Sequence, residues 1–132
     1  MIFTYLVTYL RVSDELREVS VCHSDYFRAK CAWDELIVVA HARYGRMRIN
    51  KCVLENFGYV GCYVDVLDVL HARCTGRSRC ALDVVEPTFG HRRPCNVELN
   101  NYLEVDHQCL PGQSVHIIDR QSRFYKFYFL NS

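Results

Sequence analysis

The sequence has no stretch of about 20 consecutive apolar residues, the length a bilayer-spanning helix needs. It also has almost no net charge. Sixteen basic residues against fifteen acidic ones leave +1, so no global field draws the chain toward nucleic acid or an anionic membrane surface. Lysine is scarce, with thirteen of the sixteen cations being Arg, the side chain suited to planar contacts with carboxylates, sulfates or phosphates. No Gly-rich phosphate loop, nucleophile elbow or metal-binding motif is present, so enzymatic chemistry is not expected. No two cysteines are separated by only two residues, and none of the six histidines stands four residues from another with a supporting acid. The spacings of a zinc site are therefore missing, and neither metal nor cofactor is expected. Internal repeats, low-complexity tracts and Asn-x-Ser/Thr acceptors are absent as well.

What the chain does have is apolar content and cysteine. Half of its 132 residues are apolar, enough for one domain with a hydrophobic core and too many for a disordered chain. Eight cysteines, at 22, 31, 52, 62, 74, 80, 95 and 109, form an even set spread through the middle of the chain. That is the pattern of a disulfide framework formed in an oxidising compartment, which places the protein outside the cell or in a membrane protein's ectodomain. Thiols consumed by bridges leave no nucleophile for a Cys–His pair. Spacing alone does not choose among about 105 pairings of eight cysteines. Only Cys74 and Cys80, bracketing the short polar loop Thr75–Arg79, are an obvious local closure.

Hydrophobic patterning places the elements. Ser13–Val19 is open between a short helix and the approach to a strand. Asp34–Tyr44, rich in β-branched residues, predicts a buried strand ended by Gly45. Asn56–Gly61 reads as a turn. Cys62–Arg73 has Tyr63, Val66, Leu67 and Leu70 at helical spacing, with acids early and His71 and Arg73 late, and predicts the main helix. Asp65 and Asp68 then serve the helix start and need no catalytic role. Ala81–Val85 predicts a second strand, Phe89–Pro94 a loop, and Asn101–Cys109 a half-buried strand. Residues 14–112 are taken as the domain. Met1–Leu10 has the apolar character of a truncated signal or a leader strand, so 1–13 is set apart. The aromatic Arg123–Leu130 lies in a tail, 113–132, of unassigned structure, and both ends suggest that neighbouring modules or an anchor have been lost.

Cys22 and Cys31 with eight residues between them, then Tyr44-Gly45-Arg46, Cys52, a helix after Cys62, Cys74 to Cys80, Phe89-Gly90, Pro94-Cys95, Tyr102-Leu103-Glu104-Val105 and Cys109 resemble the SUEL-type lectin domain. This is the galactose- and rhamnose-binding module of sea urchin egg lectin. The resemblance covers about Val21 to Pro111. It implies bridges Cys22–Cys52, Cys31–Cys109, Cys62–Cys95 and Cys74–Cys80. It also implies an α+β fold, a compact antiparallel β-sandwich-like domain with one main helix.

The same resemblance implies a small pocket in which polar side chains grip sugar hydroxyls. There the chain departs from the family pattern. His23 stands in place of an acid after the first cysteine, Arg43 in place of Asn before Tyr44, Arg93 in place of Asp before Pro94, and Asn101 in place of Lys. The glycine expected after Cys95 is absent. Tyr44 is retained, and the candidate carbohydrate-binding set is Tyr44, His23, Arg93, Glu98, Asn100 and Asn101. In one reading these residues bind a glycan, and His23, Arg92 and Arg93 favour an acidic or sulfated one over neutral galactose. In the other, sugar binding is lost and the scaffold is an extracellular protein-interaction or adhesion module. Tyr44, Gly45 and Arg46 also have a purely structural reading: a Gly-dependent turn, a packed ring and an Arg bonded to main-chain carbonyls.

Overall fold

A computed structural model describes residues 15–95 and 99–112. The leader, the C-terminal tail and residues 96–98 lie outside the described residues, and Glu98 with them. Six strands run in the order β1 (Arg17–Val21), β2 (Tyr26–Lys30), β3 (Glu35–Arg46), β4 (Cys62–Asp65), β5 (Arg79–Asp83) and β6 (Tyr102–Pro111). Among the described residues a single α-helix, α1 (Leu67–Arg73), and a 3-10 turn, Glu86–Phe89, complete them. One antiparallel sheet has the order β1-β6-β3-β4 and a two-stranded antiparallel sheet joins β2 to β5. This is the expected α+β, β-sandwich-like domain.

Between the sheets lies one core. Phe27 and Leu82 from the small sheet meet Ile37, Val39, Tyr44, Leu103 and Val105 from the large one, and Leu70 of α1 and Phe89 close the ends. All four bridges join the pairs that the family resemblance implies, Cys22–Cys52, Cys31–Cys109, Cys62–Cys95 and Cys74–Cys80.

Two stretches left without an assignment are settled as strands, and two local expectations are corrected. The stretch after Ser13 resolves as the edge strand β1, because its backbone groups pair with β6 in the register Arg17↔His107 to Val21↔Leu103. Residues Tyr26–Lys30, not anticipated as a strand, alternate exposed and buried side chains and pair with β5. The long strand does not stop at Gly45 but runs to Arg46, since Gly45 sits between Tyr63 and Tyr102 in the ladder. The helix starts later than its pattern suggests: Cys62–Asp65 pairs with β3, and the Asp65 carboxylate accepts the Leu67 amide at 2.8 Å where the chain turns into α1. The residues Cys62–Asp65 therefore follow a strand's period, and the helical spacing holds only from Val66 onward.

The strand over Asn101–Cys109 begins at Tyr102 and is buried on both faces, not one. Tyr102 and Glu104 face away from the core yet are 1% and 5% exposed. Arg43 and Arg48 reach the two Glu104 carboxylate oxygens at 3.1 and 2.8 Å, and the Arg48 amide donates to the Tyr102 hydroxyl at 3.2 Å. The segment after β3 therefore folds back over the outer face of the sheet.

Candidate functional site

The site begins with the backbone between β5 and β6. Pro87 sits in the first turn of the Glu86–Phe89 3-10 segment, and Gly90, at φ 70°, ends it in the left-handed region. This geometry suits a proline at the start and a glycine at the end. It drives Phe89 fully into the core, where its ring stacks on Tyr44 with centroids 4.3 Å apart. The same turn leaves Glu86 half-buried beside Tyr44. Thr88 donates to Asp83 at 2.8 Å and anchors the segment to the end of β5.

The opposite wall depends on Arg46. Its side chain is 5% exposed, and its guanidinium donates to the carbonyls of Tyr59 (2.9 Å) and Asn100 (3.0 Å). Arg46 thus holds the residues entering β6, and with them Asn100 and Asn101, against the end of β3. Gly45 is required by close approach: a Cβ there would lie 2.4 Å from the Cys62 carbonyl oxygen. Gly45 and Arg46 therefore fit the structural reading.

These elements enclose a pocket of about 240 Å³ lined by His23, Tyr44, Glu86, Arg93, Asn100 and Asn101, with Leu99 at its edge. Five of the six candidate residues, from four separate parts of the chain, line it. Glu98 lies outside the described residues. His23 reaches the pocket from the exposed turn that follows β1, which Cys22–Cys52 ties down. Arg92 does not line it; its guanidinium points to α1, donating to the Asp65 carbonyl and pairing with Asp68 at 3.2 Å.

Glu86 is the residue the sequence reading missed. Its carboxylate takes the Arg93 guanidinium at 3.2 Å, and the His91 ring nitrogen lies 3.8 Å away. A carboxylate thus enters the pocket from the 3-10 turn. Nothing in the local sequence Glu86-Pro87 announced this, because only the packing of Phe89 on Tyr44 brings the turn there.

Tyr44 is 1% exposed. Burial pushes its phenol above the ordinary range; a hydrogen bond from the Asn101 side chain opposes this and the nearby Glu86 charge adds to it. Asn101 is itself buried, and its Oδ1 has no hydrogen-bond partner among the described residues. The exposed Arg93–Glu86 pair contributes at most about 1 kcal/mol, so either partner can turn to a ligand at little cost. The pocket thus presents a carboxylate, a guanidinium, an imidazole, amides and a phenol within one small volume. It has donors and acceptors together, the combination that vicinal hydroxyls require.

Residues 29–109 match the model of the D-galactoside/L-rhamnose binding SUEL lectin domain. The chain belongs to the SUEL lectin family. Its four bridges, Tyr44-Gly45-Arg46 and Tyr102–Val105 hold the scaffold together. Among curated proteins this SUEL lectin domain is similar to Protein eva-1 homolog C of Homo sapiens, 28% identical over 119 residues, covering 86% of this chain and 26% of that protein. Protein eva-1 homolog C of Mus musculus is 26% identical over 119 residues, covering 86% and 27%. The chain spans about a quarter of the length of these relatives.

Proposed function

We propose that this SUEL domain is an extracellular glycan-binding module that takes a sugar in the Tyr44–Glu86–Arg93–Asn101 pocket, with preference for one bearing a carboxylate or sulfate. The observation that carries this reading is the convergence of His23, Tyr44, Glu86, Arg93, Asn100 and Asn101 on one pocket. A sugar hydroxyl donating to Asn101 Oδ1 satisfies a buried acceptor that otherwise has no described partner. Arg93 and His23 supply the donors for an anionic substituent, whose arrival separates Arg93 from Glu86. Four disulfides support extracellular display of the domain.

One observation favours the adhesion-module reading instead: Tyr44, the retained family residue, has only 1% of its surface exposed and its oxygen is engaged by Asn101. A glycan array separates the two. Binding to sulfated or carboxylated sugars, weakened by salt and lost by tenfold or more in Arg93→Asp, is the expected result. Absence of binding to every glycan, or binding indifferent to Arg93→Asp, overturns the anionic-glycan reading.

A further inference from the structure

The small sheet carries a second feature, on a different surface from the pocket. Along β2, Tyr26, Arg28 and Lys30 point outward while Phe27 and Ala29 point into the core. Across from them on β5 stand Asp83, Ala81 and Arg79 in the register Tyr26↔Asp83, Arg28↔Ala81 and Lys30↔Arg79. Lys30 and Arg79 therefore face each other directly, a like-charge cross-strand pair that destabilises a sheet. Arg77, also exposed, lies two residues before Arg79. Among the described residues none of Arg28, Lys30, Arg77 and Arg79 forms an ion pair with a carboxylate, although elsewhere Arg43, Arg48, Arg92 and Arg93 all do. Arg28 lies over the Tyr26 ring at 5.0 Å, which orders its guanidinium and leaves its donors free.

Between these cations runs a groove of about 390 Å³ lined by Arg28, Ala29, Lys30, Arg79, Cys80 and Ala81, mostly apolar in its lining. Unpaired cations around an apolar floor are complementary to a ligand that is acidic and apolar together. Arg28 and Lys30 are two positions apart on one strand face, a repeat of about 7 Å. An extended peptide presents its alternate side chains at the same repeat. A sulfated polysaccharide would satisfy the cations but has no apolar groups to cover the exposed Ala81 between them.

We propose that the exposed face of β2 and β5 docks an extended segment of a partner protein in which acidic residues alternate with apolar ones. The surface is independent of the sugar pocket, so the domain can hold a glycan and a protein segment at the same time.

The test uses fluorescence anisotropy with a labelled synthetic peptide of alternating Glu and Val on the intact, disulfide-bonded chain. Its controls are the same residues with the acids in one block, the corresponding Lys–Val peptide, and a heparin tetrasaccharide. Expected are salt-sensitive binding of the alternating Glu–Val peptide and at least tenfold loss of affinity in Arg28→Glu and in Arg79→Glu. Both residues are exposed, so unchanged thermal unfolding checks that the variants fold. Arg93→Asp leaves peptide binding unchanged, which separates failure of this surface from failure of the sugar pocket. The proposal is overturned if the alternating peptide does not bind, binds no better than the blocked one, or survives both charge reversals. It is equally overturned if heparin binds this face more tightly with the same dependence on Arg28 and Arg79, which makes it a polysaccharide site.

Discussion

Tyr44 carries two duties that pull in different directions. Its ring is a core residue, stacked on Phe89, while its oxygen lies at the pocket beside Asn101 and Glu86. Because burial, first, and then Glu86 favour the neutral phenol over the Asn101 hydrogen bond, the folded-state pKa is raised. A raised pKa means that the associated stability is fully present below the unfolded value of about 10 and is lost as pH rises through the folded value. Denaturant unfolding followed across this alkaline range is therefore expected to show falling stability, and Tyr44→Phe to remove part of the fall. Tyr102, raised chiefly by burial as well, accounts for a further part. A Tyr44→Phe profile identical in slope to that of the unaltered protein would contradict this assignment. Asp68 behaves oppositely: burial works against its ionisation, but the hydrogen bond and charge of Arg92 and the Val69 and Asp68 amides outweigh it and lower its pKa. That contribution fades in acid, and the carboxyl is too exposed for it to be large.

Among the elements, β3 organises the site, because one strand end supplies the pocket phenol, the close backbone crossing and the guanidinium clamp. Tyr44 faces the core, Gly45 lets β4 approach, and Arg46 ties the Tyr59 and Asn100 carbonyls to the strand end. Gly45→Ala is expected to destabilise the domain by about 3 kcal/mol, since the backbone of Cys62 and Tyr63 has no flexible end to yield. Urea unfolding measures it, and a loss below about 0.5 kcal/mol would show that β4 can move aside. Strand β6 uses its motif similarly. Leu103 and Val105 enter the core, Tyr102 is capped by the Arg48 amide, and Glu104 joins Arg43 and Arg48 across the outer face. The Tyr-Leu-Glu-Val segment thus serves packing and pairing on both faces of the sheet.

At the scale of the whole molecule the bridges differ in what they constrain. Cys31–Cys109 spans 78 residues and joins β6 to the end of β2, whereas Cys74–Cys80 spans 6. Loop-closure entropy assigns on the order of 4 to 5 kcal/mol to the first and about 2 kcal/mol to the second. Replacing each pair with alanines and comparing urea midpoints is expected to show the larger loss for Cys31–Cys109; equal losses would mean that the unfolded chain is already compact. The cysteine positions, together with the Tyr-Gly-Arg and Tyr-Leu-Glu-Val landmarks, carry the resemblance to the SUEL domain, and it is that resemblance which implied the α+β scaffold and the four bridges. Local period is less reliable: Cys62–Asp65 fits a helical spacing yet pairs as a strand, and Tyr26–Lys30 gives no clear strand signal, since a short strand is decided by its partner across the ladder. The pocket was legible through Tyr44, His23, Arg93, Asn100 and Asn101 as a set of positions, but not in its charge. Glu86 and its pairing with Arg93, the diversion of Arg92 to Asp68, and the unpaired Arg28, Lys30 and Arg79 all depend on which distant side chains the fold makes neighbours. The sequence by itself determined where apolar side chains and cysteines fall, and through its likeness to the SUEL domain the scaffold, because burial and cysteine position follow residue type and order. Tertiary structure alone decided the electrostatics of its surfaces, because Coulomb and hydrogen-bond partners are set by distance in space.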